Sequence, residues 1–274
     1  MSNTFICDGN SLYARAWYAA QSTSPDPREA IRLAVNSVLL LLDHTQDKIG
    51  VPFDRTLFAW DGNQNKAKGR DPKPQIYHGT MSVLKDVLSY LLGTVHAVDE
   101  VAEGDDIVAT AVAQEAAANH TYVISSDKDL MQLVGANCHY YSLIEKAVLT
   151  PSFIIHKFHN IKRPEQVSIE LAIVGDPVDN IKGVHRYGEK KCRQLFEAVT
   201  KDMDFDSALA AITAQLPAQQ RAEFDDAFVR TQLNRRVAGV PAPAPLSLVH
   251  PNDVKVLELP QIEHYYRQLW RAYD

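Results

Sequence analysis

Long apolar runs are missing from this chain. The densest, residues 38–42, is far too short to cross a bilayer, and residues 1–8 hold too few apolar side chains to read as a leader. A soluble protein is expected. Cysteine is scarce: Cys7, Cys138 and Cys192 are odd in number and far apart, which excludes a disulfide framework and any cysteine metal-ligand spacing, and fits a reducing cytoplasm. The ten histidines form no zinc pattern, and no internal repeat is apparent. An excess of positive charge is absent too, since the formal net charge is −6. That count argues against a broad basic surface for a polyanion. It does not exclude a local one. If nine of the 34 acids are set aside as groups a cation could neutralise, the remaining 25 face 28 Lys and Arg, a balance of +3.

What is present, at 274 residues and 46% hydrophobic, is enough for one large domain or a main domain with an appendage. The most conspicuous stretch is Glu103-Gly104-Asp105-Asp106, followed directly by an apolar run over 107–113. Acids in a first helical turn are favoured by the helix dipole, but one would suffice. Glu103 and Asp106, three apart, share a face and repel. Taken alone, the stretch fits a solvated helix start as well as an all-oxygen site for a hard cation such as Mg2+.

Other segments repeat the pattern. A short apolar run over 4–7 ends in Asp8-Gly9 before a helical stretch, 12–20, whose start Asn10 or Ser11 could cap. A long helix is expected from 28 to about 45, then a strand over 55–60 ending in Asp61-Gly62. Residues 63–79 are polar and break the periodicity, carrying Lys66, Lys68, Arg70 and Lys73. They read either as a solvated loop or as a cationic segment that grips phosphates. A helix over 81–92 and a strand over 94–98 lead to Glu103. A strand over 121–124 ends in Ser125-Ser126-Asp127-Lys128-Asp129, which opens a helix over 130–134, and two short strands follow at 138–143 and 147–150. Strands alternating with helices imply a mostly parallel sheet, in which ligands bind beyond the carboxyl ends of the strands. Four segments therefore deliver acid to one sheet edge.

Farther on, a helix over 165–174 runs into Gly175-Asp176-Pro177-Val178-Asp179-Asn180, with another acid pair three apart. Lys182, Gly183, Arg186, Gly188, Lys190 and Lys191 then lie around a turn between two short helices. Such a helix-hairpin-helix offers N–H groups and Lys side chains to a phosphate backbone, although glycine between helices is also an ordinary C-cap. Helix is expected over 204–236 with a break at Pro217, and Arg230, Arg235 and Arg236 are read there as a solvated face. Residues 241–245 should be extended, and 263–273 read as a helix packing back on the body.

The set Asp8, Asp61, Glu103-Gly104-Asp105-Asp106, Ser126-Asp127-Lys128-Asp129 and the run 175–184 closely resembles the 5′ nuclease family of phage 5′-3′ exonucleases, flap endonucleases and the nuclease domain of bacterial DNA polymerase I. The resemblance extends from Phe5 to about Leu195 in the family's order. It implies an α/β fold, a PIN-like mostly parallel sheet flanked by helices, with a C-terminal helix-hairpin-helix (H3TH) region; 1–163 would be the catalytic core, with a short arch at 63–79, and 164–274 the DNA-binding region and helical tail. Asp8, Asp61, Glu103, Asp105 and Asp127 resemble the ring of a first Mg2+; Asp129, Asp176 and Asp179 resemble that of a second, with Asp106 shared or outside it. Mn2+ could substitute, and the family has a K+ site near the hairpin.

The implied activity is a metal-dependent 5′-3′ exonuclease or flap endonuclease leaving 5′-phosphate and 3′-hydroxyl ends. Its partner would be DNA with 5′ ends, flaps, nicks or gaps, bound by a monomer in a bacterial cell or phage-infected host. Two departures stand out. The family's Phe-Arg element is missing from the arch, leaving Lys66, Lys68 and Arg70 as candidates for the scissile phosphate, and the hairpin's Gly-x-Gly is Arg186-Tyr187-Gly188 here. The chain length leaves no room for a polymerase, so a stand-alone nuclease is expected. The alternatives are a PIN-type ribonuclease on single-stranded RNA and, further off, a DNA-binding scaffold without catalysis.

Overall fold

The computed structural model describes residues 2–24, 26–62, 75–92, 94–158 and 160–245. Lys66, Lys68, Arg70 and Lys73, together with the tail helix expected over 263–273, lie outside them.

Among the described residues the centre is a seven-stranded sheet. Strands β1 (Asn3–Asp8), β2 (Arg55–Trp60), β3 (Val95–Val98), β4 (His120–Ser125), β5 (Cys138–Ser142) and β6 (Ala147–Leu149) lie in the order β3-β2-β1-β4-β5-β6. All of these pairs are parallel except β5 with β6, whose tight turn uses Lys146 at φ 54°. The extended 241–245 segment supplies β7 (Ala244–Pro245), which pairs antiparallel with Arg55 and Thr56 beyond the end of β3.

The sheet is covered on both faces, so its strands read as continuous apolar runs whose alternate residues enter different cores. Phe5, Cys7, Phe58, Trp60, Ile124 and Tyr141 pack with helices α1 (Gly9–Thr23), α2 (Pro27–Ile49) and α3 (Gln75–Leu92). Ile6, Leu57, Ala59, Val123 and Tyr140 face the other way, against α4 (Gly104–Glu115) and a cluster that continues into α5 (Pro151–Phe158), α6 (Val167–Val174), α7 (Glu189–Phe196), α8 (Phe205–Thr213) and α9 (Ala218–Thr231). No described helix is long and apolar enough to cross a membrane. At the amino edge, Arg55 pairs with the buried Glu115 at 2.6 Å and donates to the Pro243 carbonyl, pinning β7.

Several boundaries differ from the periodicity. Helix α1 begins at Gly9 rather than near Leu12, because Asp8, not Asn10 or Ser11, is the N-cap: its Oδ1 accepts the Ser11 N–H at 3.0 Å. Helix α3 begins at Gln75, inside the segment expected to be arch, and the turn after Asp127 is a 3-10 helix, Asp129–Leu133. Helix α5 is unannounced: it is a single short stretch with only Ile154 and Phe158 buried.

Candidate metal centre

The parallel strands end on one edge, and the acids lie there. Asp8 ends β1, Asp61 follows β2, and Asp127 follows β4, while Glu103 occupies the N-cap position of α4 without a side-chain capping bond and Asp105 and Asp106 lie in its first turn. Hydrogen bonds stitch these segments together. The Asp8 Oδ2 accepts from Ser125 Oγ at 2.6 Å, Asp61 Oδ1 accepts the Gly104 N–H at 2.8 Å, and Asp61 Oδ2 accepts from the Asn10 amide. Asp127 Oδ1 accepts the Asp129 N–H at 2.9 Å. Asp8 is 5% exposed, and burial raises its pKa against the lowering effect of its Ser11 and Ser125 hydrogen bonds, with Asp61 raising it further. Tyr140, below, donates to the carbonyls of Ser125 and Asp127; burial first, then the charges of Asp127, Asp8 and Asp105, push its hydroxyl pKa up.

The position of Asp61 rests on the residue before it. The Trp60 ring lies so close to Gly9 that a Cβ there would come within 2.6 Å of it. Trp60 Nε1 donates to His96 Nδ1 at 2.9 Å, so neutral His96 must carry its proton on Nε2, facing the Thr94 hydroxyl. Burial, then the charge of Lys85, lowers the His96 pKa to about 4. The Lys85 ammonium lies 4.6 Å from the Trp60 ring; burial lowers its pKa, and Asp61 opposes that shift.

A second group is tighter. Carboxylate oxygens of Asp129, Asp176 and Asp179 lie within 4.8 Å of one another, the group among the described residues that meets that spacing. All three are buried, and Asp129 Oδ1 has no hydrogen-bond partner among the described residues. Burial, followed by the charges of Asp127, Asp179 and Asp176, raises the Asp129 pKa to about 7, with Lys128 acting the other way. Buried carboxylates in this excess, one oxygen orphaned, suit a hard divalent cation better than they suit each other.

The loop carrying Asp176 and Asp179 is built tightly. Asp176 and Ile181 exchange backbone hydrogen bonds at 2.8 Å, Gly175 and Gly183 have φ of 92° and 68°, and a Cβ on Gly183 would fall 2.5 Å from the Gly175 nitrogen. Arg230, read from sequence as part of a solvated face, instead donates to the carbonyls of Asp179 at 2.8 Å and Asn180 at 3.2 Å. Past this loop Lys182, Arg186, Lys190 and Lys191 are exposed, with Lys191 4.7 Å from the Tyr187 ring and Gly188 preceding α7.

The structure thus brings Asp129, Asp176 and Asp179 to ligand spacing and holds Asp8, Asp61 and Asp127 at one sheet edge, where they accept hydrogen bonds from Ser125, Gly104 and Asp129 respectively. Asp106 is turned to another use: its Oδ1 accepts the Asn234 N–H at 2.7 Å, tying α4 to the segment after α9. Sequence reasoning missed Asn10, Ser125, Lys85 and Arg230. Asn10 and Ser125 each lie two residues from a named acid and could have been found from that; Lys85 and Arg230 carry no local signal.

The family profile "5′-3′ exonuclease, N-terminal resolvase-like domain" matches residues 3–159. The chain is 28% identical over 243 residues to thermostable DNA polymerase I of Thermus aquaticus, covering 83% of this chain and 28% of that one. It is 26% identical over 210 residues to a 5′-3′ exonuclease of Mycoplasmopsis pulmonis, covering 73% and 68%. It thus spans just over a quarter of the length of that polymerase relative. Among solved structures, a bacteriophage T5 flap endonuclease in a pseudo-enzyme-product complex with DNA and metal ions superimposes with a TM-score of 0.59 over 98% of each chain, at 15% identity.

Proposed function

The chain belongs to the 5′-3′ exonuclease family defined by that N-terminal resolvase-like domain, and from this premise we propose that it is a divalent-metal-dependent 5′ nuclease that hydrolyses DNA phosphodiesters to 5′-phosphate and 3′-hydroxyl ends. The observation that carries the reading is the buried trio Asp129, Asp176 and Asp179 beside the strand-end acids Asp8, Asp61 and Asp127. The T5 relative, solved with DNA and metal ions, supports both the substrate class and the cofactor class.

The trio would hold one Mg2+, and Asp8, Asp61, Glu103, Asp105 and Asp127 the other, with Asp106 outside because Asn234 holds one of its oxygens. When bound, the ions supply an activated water and charge neutralisation at phosphorus. The chain's own residues do the rest. Ser11, Ser125, Asn10 and Gly104 orient the first group's oxygens, while Ile181 and Arg230 fix the loop of the second.

Residues 1–163 would form the catalytic core and 164–274 the DNA-binding part. There the N–H groups near Gly183 and Gly188, and the exposed Lys182, Arg186, Lys190 and Lys191, would meet the duplex backbone. The K+ that the family resemblance implies belongs to the same turn. Lys66, Lys68 and Arg70 are assigned to the scissile phosphate.

The test is a cleavage map with Mg2+ on end-labelled 5′-flap, nicked, gapped and blunt DNA and on single-stranded RNA. Cleavage of flap or nicked DNA, lost in Asp127→Ala, is expected. Preference for unpaired RNA would reverse the substrate assignment.

A further inference from the structure

Lys128 lies in sequence between Asp127, of the first carboxylate group, and Asp129, of the second. Its ammonium lies 2.9 Å from Asp176 Oδ2, and the two side chains are 36% and 1% exposed. Resting on the nuclease reading, we infer that Lys128 is a built-in counter-ion of the second carboxylate group and competes with the divalent cation for it, so that its release from Asp176 sets how tightly that cation is held.

Asp129, Asp176 and Asp179 crowd three carboxylates within 4.8 Å, and Lys128 is the cation paired with the most deeply buried of them. The other Asp176 oxygen already accepts the Val178 N–H at 3.1 Å. A divalent ion binds carboxylate oxygen at roughly 2.0–2.6 Å. An ion held by the trio would meet an ammonium already paired with the Asp176 carboxylate, and the two cations repel at short range in a poorly hydrated site.

The pair is not an ordinary surface bridge of negligible worth, because the carboxylate partner is buried and cannot exchange the ammonium for water. Lysine suits the task. Its ammonium is a compact charge on a flexible stem and, being partly exposed, can swing to solvent without unfolding the turn, whereas an arginine fork would hold the carboxylate bidentately.

The test is Mn2+ binding to the full chain, followed by the resonance of the free ion, for wild type, Lys128→Met and Lys128→Arg. Measurement at about pH 9 removes proton competition at the acids. Removing one unit charge from the site should tighten the weaker class of Mn2+ sites roughly tenfold in Lys128→Met, and Lys128→Arg should loosen it. In an Asp176→Asn background Lys128→Met should have little effect, because the pair is already broken. Unchanged or weaker Mn2+ binding in Lys128→Met, with its melting temperature preserved, would overturn the inference. Wild-type flap cleavage in the same preparations separates the two claims: cleavage with unaltered Mn2+ affinity sinks only the role of Lys128. A wild-type chain that binds no Mn2+ and cleaves nothing sinks the nuclease reading with it.

Discussion

Asp8 does two things with one carboxylate: it caps α1 through the Ser11 N–H and presents charge at the end of β1, held also by Ser125. Asn can keep the cap but not the charge. Asp8→Asn should therefore retain the melting temperature while losing at least about 100-fold in cleavage rate, a loss typical of removing a group that acts at the reacting centre. Asp8→Ala should also lose about 1–3 kcal/mol of stability, because both Ser11 N–H and Ser125 Oγ lose their acceptor; chemical denaturation of the two variants checks this. Asp129 and Glu170, each raised to about 7 chiefly by burial, set the pH response. An acid whose folded pKa is raised holds its proton in the folded state after the unfolded chain has released it. Stability without divalent ions should thus fall as pH climbs from about 4 to about 7 and stay low above that. Melting in EDTA between pH 5 and 8 should show the decline, Asp129→Asn should flatten part of it, and Mg2+ at pH 8 should reverse it.

At the scale of elements, the loop 175–183 between α6 and the turn before α7 decides whether the second group exists. Gly183→Ala meets both a positive φ and a backbone nitrogen at 2.5 Å, so a loss of about 2–4 kcal/mol is expected. Arg230→Ala leaves that backbone intact but removes the two guanidinium hydrogen bonds to the Asp179 and Asn180 carbonyls. It should raise the Mg2+ concentration needed for half-maximal cleavage several-fold with little change in melting temperature, and an unchanged metal requirement would show that α9 does not brace the site. Much of this architecture was legible in the chain because the cues were local. The strand over 55–60 matched β2 residue for residue, and acid-Gly turns after apolar runs marked where β1 and β2 end. What escaped was non-local: Arg230 meets Asp179 across 51 positions, Asn234 takes Asp106 across 128, and Lys85 meets Trp60 only because α3 folds back over β2. No period or spacing carries such contacts.

At the scale of the whole molecule, nine of the 34 acids belong to the groups proposed to hold cations, and among the described residues exposed basic side chains gather around 182–191, so a net charge of −6 is compatible with the proposed DNA substrate. The sheet holds these regions in one frame: acids sit at its carboxyl edge, while the Arg55–Glu115 pair and β7 close its amino edge. If the strand-end acids and the buried trio form one catalytic site, cleavage requires both. Single-turnover cleavage of a 5′-flap duplex across a Mg2+ titration, for wild type, Asp8→Asn and Asp176→Asn, tests it most directly. Cleavage should rise with more than first-order dependence on Mg2+, be abolished by EDTA, and fall by at least about 100-fold in either variant. Cleavage that persists in EDTA, or that survives in Asp8→Asn or Asp176→Asn at wild-type rate, would contradict it.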